Sequence, residues 1–285
     1  MSSSAATRST LAWPYVLGLL LLVGLPLIGA IGLAFTDFSG IGAPTFNGLD
    51  NFSRLIEDSQ FWRSLGNSFV FVLISVPLRL AGAVAFALLL HRRAAGASAG
   101  RVAAYLPTVI PDVAYALLWL WLLNPLYGPL ALALEAVGFG DVLTDPWGAR
   151  IGVAVMGAFQ IGEAFIVALA ARRTIPSQLY EAASVDGASA WFTFRKLTLP
   201  LMAPILGLLA LRDVILSFQI NFVPALLVTE GGPRYATTYL PLYAYRQAFR
   251  YFRLGYASAM TLTMFLLTAL IVYVQYRLIR RWRMW

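Results

Sequence analysis

Six apolar runs, each about as long as a bilayer is thick, restrict this chain to very few folds. A helix rises ~1.5 Å per residue, so about 20 apolar residues cross a ~30 Å hydrocarbon core. Such runs lie at about 13–35, 67–90, 102–123, 150–171, 201–227 and 255–279. Hydrocarbon offers no partner for a backbone N–H or C=O, which leaves helices or closed barrels. Continuous apolar runs of this length select helices. The reading is an all-α membrane protein with six transmembrane helices, a polar tail at 1–12 and one transmembrane domain at 13–285. Composition agrees: 12% of residues are charged, against about 25% in soluble domains. A cleaved signal peptide has an apolar core of only ~7–15 residues, so the run at 13–35 reads as a retained helix.

Polar side chains inside the runs are the next constraint. Charged groups there are costly and face a partner or a watery path. They are Arg79, Asp112, Gln160, Glu163, Arg212, Asp213, Gln219 and Asn221. Gln160 and Glu163 are three apart and share a helix face; Arg212 and Gln219, seven apart, share another. Counting ~1.5 Å per residue from the span ends puts Arg212 level with Glu163, with Asp213 as a competitor. Gln160, Gln219 and Asn221 are then left to bind solute hydroxyls. The same counting puts Arg79 level with Asp112 as a structural pair. Pro107 and Pro111 predict a kinked third span, and Trp119 and Trp121 read as interfacial aromatics.

Much chemistry is excluded. There is no cysteine and one histidine, His91, so thiol chemistry, disulfides and histidine clusters are out and no metal site is expected. No catalytic constellation appears, and the chain is not expected to be an enzyme. Its single lysine, Lys196, is followed by Leu197, whereas a phosphate-cradling loop needs Gly-Lys-Ser/Thr. The net charge of +8 suits nucleic acid, but the basic residues cluster at the ends of the runs. With both termini cytoplasmic, inner segments hold twelve Arg and Lys and outer ones six, four of the six in the last outer loop, 228–254. That last loop breaks the positive-inside rule, and the other connections follow it.

Between the fourth and fifth runs lies a polar island, Thr174–Pro200. Pro176 opens a helix, Leu179, Ala182 and Ala183 form a narrow stripe of small side chains, and Gly187 suits a left-handed helix end. A second segment follows with Trp191, Phe194 and Leu197 about a turn apart. The pattern Glu181-Ala182-Ala183, Asp186-Gly187-Ala188, Phe194, Leu197, Leu199-Pro200 resembles the EAA loop of ABC-importer permeases, and most of all the maltose-type carbohydrate branch. Gly48, Leu49, Asn51 and Phe52 are similar to that family's G-L-x-N-F stretch, and Thr229, Gly231, Gly232 and Pro233 to its T-x-G-G-P element. Tyr127-Gly128 and Gly138-Phe139 resemble its pattern after the third span. Ala131 stands where the family has Asn, and Asn221-Phe222 near where it has Phe-Asp, so a role for that aspartate does not transfer.

The resemblance implies a type I importer permease fold in the bacterial inner membrane. Glu181, Ala182, Ala183, Asp186, Gly187 and Ala188 would form the coupling helix that docks on an ATPase. It implies a second homologous permease, two ATPase subunits holding ATP and Mg, and a periplasmic or lipid-anchored solute-binding protein. The solute would be a carbohydrate or polyol, moved by alternating access. No cofactor on this chain and no nucleic acid are expected. An ion-gradient-driven transporter is the alternative; it would use Glu163 and Asp213 as ion sites and leaves the loop pattern unexplained. A reporter near His91 or after Arg283 should read cytoplasmic, and one near Asp141 or Pro233 external; a cytoplasmic signal at Pro233 would contradict the assignment of the last two spans.

Overall fold

A computed structural model describes residues 13–91, 96–138 and 142–282; the tail 1–12 and Arg92, Arg93, Phe139, Asp141 and Arg283 lie outside the described residues. In chain order, α1 (Trp13–Leu33) precedes a two-stranded antiparallel ribbon, β1 (Thr36–Asp37) with β2 (Thr45–Phe46), and the short α2 (Asp50–Glu57). Then come α3 (Ser59–Leu90), α4 (Ala97–Val109), α5 (Asp112–Leu122), α6 (Pro129–Ala136), α7 (Pro146–Phe159) and α8 (Gly162–Thr174). α9 (Ser177–Val185), α10 (Ala190–Leu227), α11 (Leu240–Tyr245) and α12 (Leu254–Trp282) follow. Four helices, α1, α3, α10 and α12, are individually long and apolar enough to cross a bilayer. α4 with α5, bent by 104°, and α7 with α8, bent by 52°, are also long and apolar enough as pairs, and counting each pair as one broken span gives the expected six.

Boundaries move wherever a polar cap decides them. α3 begins at Ser59 rather than Asn67, because the Asp58 carboxylate accepts the N–H groups of Gln60 (2.9 Å) and Phe61 (3.2 Å). Trp62 and Leu65 therefore belong to α3, and only Asp50–Glu57 form the short α2 before it. α10 begins at Ala190 rather than Leu201: Ser189 accepts the Phe192 N–H, and a π turn at Phe194–Thr198 carries the helix onward. Pro200 then stands at the start of a new α register, where a missing N–H breaks no bond. The fourth span, read as continuous, breaks after Phe159, and the small β ribbon was not expected at all. Trp119 is buried within the protein and Trp121 is exposed.

The chain divides into two compact units, Met1–Trp62 with Tyr243–Leu267 and Arg63–Leu242 with Thr268–Trp285. In the first, Asn51 donates to the carbonyls of Ala34 (3.0 Å) and Thr36 (2.8 Å) just past α1, and Phe52 packs on Phe35 with ring centroids 5.2 Å apart. That is a physical account of the Gly48–Phe52 stretch. In the second unit, Ala83 and Ala87 of α3, Ala104 of α4, Ala164 and Ala168 of α8 and Met202 and Leu209 of α10 share one core. Small side chains let helices approach closely in lipid, where packing rather than water exclusion holds them together. The Thr229–Pro233 element is bound by its neighbours: Thr237 donates to the Gly232 carbonyl (2.7 Å) and Thr238 to that of Gly231 (2.9 Å). Arg150 donates to Asn67 (3.0 Å) and to the Ala236 carbonyl (3.2 Å).

Asp58 also accepts the hydroxyls of Tyr243 and Tyr256, each at 2.7 Å. Burial pushes its carboxyl up, but the two phenols and the backbone N–H groups of Phe61 and Gln60 outweigh this and hold it below its ordinary value. Such bonds are stronger to a charged acceptor than to a neutral one. Asp58→Asn should therefore melt ~2–4 °C lower near neutral pH, the effect of ~1 kcal/mol in a chain this large. A carboxyl lowered on folding stabilises fully above its unfolded value of ~3.9 and loses this as pH falls through the folded value. The gap between wild type and variant should narrow in acid; a gap constant with pH would show that charge on Asp58 does not matter.

Candidate functional site

The site is built on the break between α7 and α8. Ending α7 at Phe159 frees carbonyls near its end and leaves the first N–H groups of α8 without partners. Neighbours supply the missing bonds. The Gly157 carbonyl accepts from Arg79 Nε (3.1 Å) and Nη2 (2.8 Å). The Met156 carbonyl accepts the Tyr115 hydroxyl at 2.7 Å, and the Gly162 N–H donates to Thr108 Oγ1 at 2.9 Å. One side chain each from α3, α4 and α5 thus completes the broken span. Gly162 has to be glycine, since a Cβ there would lie 2.8 Å from the Tyr105 ring and closer still to Thr108.

Charged groups gather at the same break. Buried Arg79 pairs with Asp213 of α10 at 3.7 Å, not with Asp112 as depth counting predicted. That counting assumed a straight third span. The 104° bend at Ile110–Pro111 instead makes Asp112 the exposed first residue of α5, where a carboxylate suits the helix dipole. Arg212 pairs with Glu163 across α10 and α8, as expected, and lies 3.8 Å from Asp213. Glu163 and Arg212 are 50% and 44% exposed, whereas Asp213 is 1% exposed and neither of its oxygens has a hydrogen-bond donor.

A polar cleft of about 210 Å³ results, lined by Gln160, Glu163, Arg212, Arg79, Asp112 and Asp213, with Thr108 at its side. Gln160, Glu163 and Arg212 come together there. Gln219 and Asn221 do not line it: Gln219, two turns further along α10 than Arg212, is exposed outside it, and Asn221 is buried with both amide atoms unpartnered. Thr108 and Tyr115 escaped the sequence reading because a hydroxyl in an apolar run carries little signal; Thr108, directly after Pro107, had the better claim. The cleft can exchange hydrogen bonds with a hydroxylated solute. Among the described residues no cluster of three acidic or histidine side chains could hold a metal.

A second feature is the loop after α8. Pro176 precedes α9 in extended conformation rather than opening it, and Gly187 ends it at φ +72°. The Ala188 N–H closes on the Ala183 carbonyl at 2.9 Å and that of Asp186 on Ala182 at 3.0 Å, a left-handed helix stop. Glu181, Ala182, Asp186 and Gly187 are exposed, Ala183 and Ala188 half-buried, and Val185 is 88% exposed. The base of the loop is fixed: Tyr180 bonds Thr198 at 3.0 Å and carries the Arg172 guanidinium over its ring.

Known transport proteins are similar to most of the chain. Residues 62–284 match the family described as binding-protein-dependent transport system inner membrane component. The chain is 34% identical over 276 residues to the probable ABC transporter permease protein YesP of Bacillus subtilis (strain 168), covering 94% of this chain and 89% of that protein. It is 31% identical over 280 residues to the trehalose/maltose transport system permease protein MalF of Thermococcus litoralis, covering 94% and 92%. Among solved structures it is similar to a chain of a bacterial alginate ABC transporter in complex with an alginate pentasaccharide-bound periplasmic protein: TM-score 0.83, 25% identity, 96% of this chain and 94% of that one.

The ion pairs give a double-mutant test. Asp213→Asn strands a buried guanidinium and should cost ~3–5 kcal/mol, seen as loss of folded protein. Adding Arg79→Met should restore part of it, less the cost of leaving the Gly157 carbonyl without its donors, whereas Asp112→Asn should cost little alone and show no coupling to Arg79→Met. Coupling of Arg79 to Asp112 instead would contradict the observed pairing.

Proposed function

The chain belongs to the family of binding-protein-dependent transport system inner membrane components, and from this premise we propose that it is one of two homologous permeases in an ABC importer for a carbohydrate or related polyol. The family makes it a multi-pass inner-membrane protein and a transport subunit rather than an enzyme. The observation that carries the mechanism is the exposed helix α9 with its fixed base and unburied Val185. Its small residues Ala182 and Ala183 form a docking face for a cytoplasmic ATPase, with Glu181, Asp186, Gly187 and Ala188 at its end. Two such ATPase subunits hold ATP and Mg, and the termini lie on their side of the membrane. A periplasmic or lipid-anchored binding protein delivers the solute. Relatives named for trehalose/maltose and for starch degradation products support the carbohydrate class.

In the path, Gln160 and the exposed Glu163–Arg212 pair meet the solute's hydroxyls, and Gln219 offers a further contact along α10. The buried Asn221 amide joins them when the turn that it occupies within α10 opens. An ion-gradient mechanism would need Glu163 or Asp213 free to bind an ion, and both are paired with arginine.

Coupling is measured in proteoliposomes holding the whole importer. Gly187 has a positive φ, and proline cannot adopt it, so Gly187→Pro distorts the end of α9 while the spans remain intact. Uptake should fall at least ~10-fold, which is ~1.4 kcal/mol, while ATP hydrolysis continues; Glu181→Lys should act in the same direction. Unchanged uptake in both would remove the docking role.

A further inference from the structure

A second cavity, of about 340 Å³, lies wholly within the unit Met1–Trp62 with Tyr243–Leu267. That volume is in the ~300–1,000 Å³ range of small-molecule sites. It is lined by Arg54, Asp58, Tyr243, Gln247, Arg253 and Tyr256. The hydrogen bonds decide which of these remain open to a ligand. Asp58 already has four donors: two phenols and two backbone N–H groups. The Tyr243 proton is committed to Asp58, so the Tyr243 oxygen is the acceptor in its bond with the Gln247 side chain. That turns Gln247 Nε2 toward the phenol. Gln247 Oε1 is then an acceptor without a donor, on a residue only 5% exposed.

The arginines are equally uncommitted. Among the described residues neither Arg54 nor Arg253 takes part in an ion pair, because hydrogen bonds rather than guanidinium groups satisfy Asp58. With all groups ionised, two cations against one carboxylate leave the cavity positive. A matching ligand brings an anionic oxygen pair, which a guanidinium binds in a bidentate fashion, and a hydroxyl proton for the unfilled amide oxygen. A uronic acid carries both on one ring. We propose that this cavity binds an acidic sugar residue, its carboxylate on Arg54 and Arg253 and a ring hydroxyl on Gln247. The proposal rests on the carbohydrate-importer reading and narrows it to solutes with uronate units.

The test uses the purified whole importer in nanodiscs of neutral lipid, without its binding protein, so that selectivity belongs to the membrane subunits. Binding of a labelled uronate disaccharide is compared with that of its neutral counterpart. The uronate should bind at least ~10-fold more tightly and weaken as salt screens the charges. Arg54→Gln and Arg253→Gln should each lower uronate affinity several-fold and leave the weak neutral binding unchanged, and Gln247→Met should lower both. Equal binding of the two sugars, or indifference of uronate binding to both arginine variants, would overturn the site. So would displacement of the uronate by phosphatidylglycerol in the nanodisc, which would mark a lipid headgroup site. ATP-driven uptake of a neutral carbohydrate without uronate binding would sink this inference alone; loss of ATP-driven uptake for every carbohydrate would sink the importer reading instead.

Discussion

A carbonyl released inside hydrocarbon has to find a donor, and in this protein that requirement fixes the positions of most polar groups in the spans. The interruption between Phe159 and Gly162 frees Met156 and Gly157, and Tyr115 and Arg79 take up the bonds. Arg79 brings a buried charge with it. That charge needs Asp213, and Asp213 lies 3.8 Å from Arg212, which reaches out to Glu163. One broken span thus accounts for a chain of four charged residues running from a buried end to an exposed one. A buried ion pair adds little net stability, but losing one partner is costly, so the arrangement fixes the break in place more than it strengthens the fold.

The same helix ties the cleft to the loop. α10 carries Arg212 and Asp213, and it begins at Ala190, three residues beyond Gly187. Ala190 and Arg212 are ~33 Å apart along a helix rising ~1.5 Å per residue. A push on α9 would therefore reach the charged cleft through one continuous element. Its π turn at Phe194–Thr198 lies between the loop and the cleft, and such turns are frequent at functional sites.

How much of this was legible follows from what each signal measures. Hydropathy counts apolar residues, so it found the six spans; the prolines announced a kink in the third, which comes at Pro111 and not at Pro107, a residue inside α4. It could not see the break after Phe159, where Gln160-Ile161-Gly162 carries no proline. It also misplaced the start of α3, since the Asp58 cap acts at the polar edge where hydropathy is silent. Depth counting worked for Arg212 with Glu163, neither of which lies beyond a sharp bend from the counted end. It failed for Asp112, which a bend displaces. Asn221 looked like a solute contact because it is polar in an apolar run; its burial depends on packing around a turn within α10 that no local pattern encodes. The helix at 177–185 and its stop at Gly187 were readable because Gly187 and the alanines before it act locally.

The central claim is that α9 is the surface through which ATP hydrolysis elsewhere moves this chain. The protein has no cysteine, so a single one introduced at the exposed Val185 reports on its surroundings without background. In membranes holding the assembled importer, Val185→Cys treated with a short bifunctional thiol reagent should cross-link to an ATPase subunit bearing a matched cysteine, with a yield that changes on ATP addition. No cross-link from Val185→Cys, with ATP-dependent uptake intact, would place the coupling surface elsewhere and contradict the account.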